Sequence, residues 1–168
     1  MDMRSEEVIK LGVLFYITAI LGYMYELVVC FIYNGNFVSH AFLSGPYLPI
    51  YGLGALIIYG LKKYRHRPLK IFVLSFLITG TFELLSGLIL DKIFNIELWN
   101  YDNYKFNIGG YVCLLSAFCF GIGSLFIMYV LVPLIEKLVK KANKVIVKNI
   151  LFIMSTIFGI DVLNSIIR

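Results

Sequence analysis

The sequence predicts an all-α integral membrane protein of about five transmembrane helices. Three observations carry that reading. Hydrophobic residues make up 60% of the 168, and the mean hydropathy is +0.87. Charged residues make up only 15%, where a soluble domain carries about a quarter, and a soluble core of this size could not hide so much apolar surface. The apolar residues also fall into runs close to the ~20 that one bilayer crossing needs.

The runs lie at about 10–33, 42–61, 69–90, 108–134 and 149–167, within a single membrane domain over 1–168. The first has the length of a full span. It exceeds a signal-peptide core and is preceded by Asp2, Glu6 and Glu7, so a cleaved leader is not expected. The second is full-length only if its opening, Ser44-Gly45-Pro46-Tyr47-Leu48-Pro49-Ile50-Tyr51-Gly52-Leu53-Gly54, also enters the membrane. Proline lacks an N–H and disfavours helix at the residue before it, and glycine permits close approach. Gly45, Pro46, Pro49 and Gly52 therefore predict a broken or re-entrant segment, or else an interfacial turn with Pro49 at the first helical position. The third and fourth runs are continuous, with Gly110 marking a glycine-rich approach to the fourth. The stretch 134–148 sets Leu134, Ile135, Leu138 and Val139 against lysines, the pattern of a helix lying on the membrane surface or contacting a partner.

Charge sets the orientation. Lys62, Lys63, Arg65, Arg67 and Lys70 crowd one loop, and Lys137, Lys140, Lys141, Lys144 and Lys148 another. The positive-inside rule places both in the cytoplasm, with the N-terminus inside and the C-terminus outside. The net charge of +5 thus reports topology; no basic patch interleaved with stacking aromatics points to nucleic acid. Cys30, Cys113 and Cys119 form no metal spacing, and His40 and His66 have no partner ligand at helical spacing. Neither a metal nor a cofactor is expected.

Three acids interrupt the spans: Glu26, Glu83 and Asp161. An ionisable group inside a membrane helix is a functional-site hypothesis by default. In this topology each lies six or seven residues below the outer end of its helix, or roughly 10 Å at 1.5 Å per residue. Three acids at one depth form one expected cluster, suited to a cation, a proton, or a cationic or polyhydroxyl substrate. Tyr51, Asp102 and Asn107, on or beside the two glycine-rich outer segments, complete the candidate substrate or ion site. The alternative is snorkelling or plain helix–helix hydrogen bonding.

A faint repeat accompanies the acids. Phe42-Leu43-Ser44-Gly45-Pro46-Tyr47 aligns with Phe106-Asn107-Ile108-Gly109-Gly110-Tyr111 as F-x-x-G-x-Y, and Glu26 aligns with Glu83. Both halves then read acid-bearing helix, outer loop, glycine-rich segment, helix, which would be a parallel repeat.

Gly22-Tyr23-x-x-Glu26, the segment from Phe42 to Gly54, Glu83-x-x-x-Gly87, Trp99-x-Tyr101-Asp102, Asn107-x-x-Gly110 with Cys113, and Ile160-Asp161-x-x-x-Ser165 resemble the bacterial ABC-transporter type IV, or CmpB-type, permeases. The resemblance covers nearly the whole chain. It departs from the family pattern at Trp99-Asn100-Tyr101-Asp102 and Gly110-Tyr111-Val112-Cys113. It implies a multi-pass permease of the bacterial cytoplasmic membrane, working with a separate ABC ATPase or as a homo- or hetero-oligomer. The chain has no Walker A motif of its own. Two other classes stand beside this one: a non-transporting accessory or sensor protein, and an intramembrane enzyme acting on a lipid-linked substrate.

Overall fold

The computed structural model describes residues 3–35 and 43–167. Residue 42, where the second apolar run and the first copy of the repeat begin, lies outside them. The architecture is helical: α1 Met3–Asn34, α2 Pro49–Gly60, α3 Pro68–Phe94, α4 Leu114–Phe126, α5 Val132–Lys141 and α6 Lys144–Ile167. One short antiparallel hairpin, β1 Asn107–Ile108 with β2 Val112–Cys113, precedes α4. Among the described residues four stretches are long and apolar enough to cross a membrane: Ser5–Ile32, Pro68–Phe94, Leu114–Lys141 and Lys144–Ile167. The fold class is as the sequence predicts.

Local chemistry explains the boundaries. Pro49 and Pro68 stand at or next to helix starts, where a missing N–H costs nothing. Asn95 ends α3 in the left-handed conformation, with φ 53°, and its N–H bonds back to Asp91 O. Before Pro133 the backbone widens into a π turn over Ile127–Leu131. The proline ring would otherwise press on the carbonyl one turn earlier. The basic stretch 134–148 is divided between two helices. Residues 134–141 belong to α5, which buries Val132, Ile135 and Val139. The chain then breaks at Ala142-Asn143, where Asn143 Oδ1 accepts from Val145 N at 3.0 Å and starts α6.

The chain forms two compact units, 1–56 with 131–168, and 57–130. In the first, α1 and α6 lie side by side and parallel, in register. Glu6 pairs with Lys144 at 2.5 Å, a Cβ on Gly12 would touch Leu151, Tyr16 Oη donates to Ser155 Oγ at 2.9 Å, and Ala19 clusters with Phe158. The register offset stays close to constant along both helices, which antiparallel helices could not give. In the second unit α3 packs on α4 through small residues. A Cβ on Gly80 would stand 3.3 Å from Ala117, and one on Gly121 would stand 2.7 Å from the Phe72 ring. Ile58, Ile71 and Met128 close the other end of this unit.

Candidate functional site

The acids sit in two different settings. Asp161, on α6 in the first unit, receives the non-helical segment 43–48. Ser44 N donates to it at 3.1 Å, Gly45 N at 3.0 Å and Tyr47 Oη at 2.6 Å. Leu48 N then donates to Ala19 O at 3.0 Å. Ala19 is close to the midpoint of Ser5–Ile32, so non-helical backbone reaches mid-helix and its donors are met there by a carboxylate and a carbonyl. Gly45 and Pro46 form the bend, and Pro49 opens α2. Within the same unit Gly22 lets the Tyr51 ring lie directly on α1, and Gly52 does the same for Phe15. Tyr51 also meets Tyr25 edge-on, with ring centroids 6.3 Å apart. Glu26, half-buried on α1, lies one turn beyond Gly22.

Glu83 is the buried acid. It is 3% exposed on α3, in the second unit. Tyr101 Oη donates to Oε1 at 2.9 Å and Ser116 Oγ to Oε2 at 2.8 Å. No cation pairs with it among the described residues. Ser116 is itself fixed by a capping box at the start of α4: its N–H donates to Cys113 Sγ, and its Oγ accepts from Cys113 N at 3.2 Å. Thr79 and Gly87, one turn either side of Glu83, are also buried.

The segment that carries Tyr101 folds by its own hydrogen bonds. Asn100 Oδ1 accepts from Asp102 N at 2.7 Å, and Tyr101 N donates to Gly110 O at 2.8 Å. Asn107 Nδ2 donates to Tyr104 O at 2.9 Å, and its Oδ1 accepts from Gly110 N at 3.2 Å. Trp99 Nε1 donates to Tyr111 O at 2.8 Å. Gly110 has φ 75°, and a Cβ there would stand 2.6 Å from Asp102 Oδ1. Asp102 and Asn107 thus shape the loop, with Asp102 exposed and Asn107 half-buried.

The structure therefore brings Glu83 together with Tyr101 and Ser116, and Asp161 together with Ser44, Gly45 and Tyr47. The sequence reading passed over Ser116 and Tyr47. Ser116 had a signal in its spacing from Cys113. Tyr47 had one in the repeat, because both tyrosines that end F-x-x-G-x-Y serve an aspartate. Tyr111 Oη donates to Asp91 Oδ2 at 2.6 Å, as Tyr47 does to Asp161. The two copies otherwise differ: the first leads into α2 without a strand, and the second forms the β1–β2 hairpin.

A family model described as "Putative ABC-transporter type IV" matches residues 13–166. The chain belongs to that family. Every site residue named above lies within the matched span. No curated protein and no solved structure matches the chain. The family description and the four candidate spanning helices among the described residues together mark this as a membrane protein.

Proposed function

We propose that the chain is the membrane-spanning subunit of a transporter, with Glu83 at its substrate or ion site and a separate ABC ATPase as its energy source. The carrying observation is the setting of Glu83. A carboxylate inside a membrane helix is costly to keep. Here it is buried, has two hydroxyl donors and lacks a protein cation among the described residues. Such a site has free acceptor capacity for a proton, a metal cation or a substrate ammonium, or for the hydroxyls of a polyol. Tyr101 comes from the loop between α3 and α4, so that loop can cover or release the acid. Glu26, with Tyr51 beside its helix, forms the corresponding position of the first unit. Asp161 anchors the broken segment, and Asp102 and Asn107 set the shape of the loop that bears Tyr101.

The parallel pairing of α1 and α6 supports chain ends on opposite sides of the bilayer, and the basic loops favour the N-terminus inside. Helices that run side by side in the same direction must start on the same side of the bilayer. The chain between them must therefore cross an odd number of times. The spans containing α3 and α4–α5 account for two crossings, so α2 with its broken approach is the third. Its 12 residues reach about 18 Å, short of the ~30 Å hydrocarbon core. The non-helical approach before it, which bonds to Ala19 O and Asp161, would have to supply the rest of the crossing. The lysine-bearing junction of α5 and α6 then faces the cytoplasm, where the ATPase would dock.

Comparing the metabolite content of cells that lack the protein, express it, or express Glu83→Gln tests this reading. Small molecules whose distribution changes on expression should return to the deletion pattern in Glu83→Gln, at equal protein level and melting temperature. A variant that transports like the parent chain would remove Glu83 from the site.

A further inference from the structure

We infer that the groove between the first turns of α1 and α6 is a binding site for one anionic phospholipid. The groove has a volume of about 490 Å³ and is lined by Ser5, Val8, Ile9, Lys148 and Leu151. One end is polar and the rest apolar, which is the division a lipid molecule presents.

The charges around the groove are already sorted. Glu6 is held by Lys10 at 3.1 Å and by Lys144 at 2.5 Å, and Lys10 also reaches Glu7 at 3.7 Å. Among the described residues Lys148 has no ion-pair partner and is the one charged residue of the lining. Ser5 Oγ is shut off from solvent and has no hydrogen-bond partner among the described residues. The hydroxyl is thus closed to a ligand as well, and the Lys148 ammonium is the group that meets a phosphodiester oxygen. Ile9, 2% exposed, and Leu151 form the wall along which an acyl chain would run, and Val8, 67% exposed, forms its outer edge. In the orientation proposed above this end faces the cytoplasm, where basic pockets between spanning helices meet anionic headgroups. A soluble phosphate would match the polar end alone and leave the apolar wall uncovered.

Native mass spectrometry of the full chain, extracted from vesicles of equimolar phosphatidylglycerol and phosphatidylcholine, tests the site. The parent chain should retain phosphatidylglycerol in preference. Lys148→Gln should reduce that preference about fivefold, whereas Lys137→Gln, on the exposed face of α5, should leave it intact. Val8→Trp, which fills the groove from an exposed position, should lower retention with no change in melting temperature. Equal losses in the two lysine variants would show diffuse attraction and overturn the site. Displacement of the bound lipid by millimolar inorganic phosphate would also overturn it, in favour of a soluble anion.

Discussion

Tyr47 and Asp161, 114 positions apart in sequence, are joined by a 2.6 Å hydrogen bond that ties the non-helical segment to α6. The same carboxylate accepts from two successive backbone N–H groups, of Ser44 and Gly45. One side chain on α6 thus holds the turn at Gly45 and Pro46. The backbone can leave the helical ladder at mid-helix because Asp161 and Ala19 O take its donors.

Removing parts of this anchor should have graded effects. Tyr47→Phe deletes one donor and leaves the carboxylate with its backbone partners. It should lower Tm by roughly 2–4 °C. Asp161→Ala leaves two N–H groups and the tyrosine hydroxyl without an acceptor, and should cost more. Thermal unfolding in detergent measures both. An Asp161→Ala chain as stable as the parent would show that the segment does not depend on α6.

Glu83 separates function from stability. Glu83→Gln keeps the shape of the side chain and can still accept from Tyr101 or Ser116, so the protein should insert and melt within a few degrees of the parent. Transport should be lost. Ser116→Ala should be more damaging to stability than Tyr101→Phe, because it also opens the capping box of α4, worth about 1 kcal/mol. Parallel melting curves of the three variants test the order.

Gly22 is required by the Tyr51 ring that lies on it. Gly22→Val should destabilise the first unit by about 1–3 kcal/mol through overpacking. Tyr51→Ala in the same chain should recover part of that loss. If the double variant is no better than Gly22→Val alone, the close approach is not what limits this position.

Gly110 combines φ 75° with the Asp102 carboxylate at its Cα. Gly110→Ala should cost about 1–2 kcal/mol from the left-handed backbone, and Asp102→Ala should relieve only the contact. Hydrogen exchange of the 97–113 segment should rise in Gly110→Ala. It should stay raised in the double variant, because the backbone conformation remains.

The crossing pattern has its own test. In a chain with Cys30, Cys113 and Cys119 replaced by serine, a cysteine at Ile167 should react with a membrane-impermeant maleimide added outside intact cells. A cysteine at Lys141 should react only after lysis. Labelling of both positions from one side would contradict the five crossings.

Much of this molecule can be read from its sequence. Hydropathy and composition were enough for the helical membrane class, because twenty-residue apolar runs have few other uses. The motifs from Gly22 to Ser165 were enough for the family. The prolines and glycines of 44–54 predict a broken segment, and the chain is non-helical before Pro49, but Pro49 and Gly52, expected within the break, lie in the regular helix α2. What the residues did not reveal was the pairing. Depth is one coordinate, and it places Glu26, Glu83 and Asp161 alike. The partners of Glu83 and Asp161 depend on which helix faces lie together, a second coordinate that hydrophobic periodicity barely marks when helices are apolar all round. Residues 134–148 are hard to divide for a related reason. Their amphipathic pattern runs on across the junction of α5 and α6, and Asn143 alone marks the break.

The proposed ATPase partner can be sought by purification of the chain from native membranes in mild detergent, with co-purifying proteins identified by mass spectrometry. A nucleotide-binding protein with a Walker A loop should appear in fixed stoichiometry and be lost when Lys137, Lys140 and Lys141 are changed to glutamate. A chain that purifies as a homo-oligomer with no nucleotide-binding protein would contradict the proposed pairing.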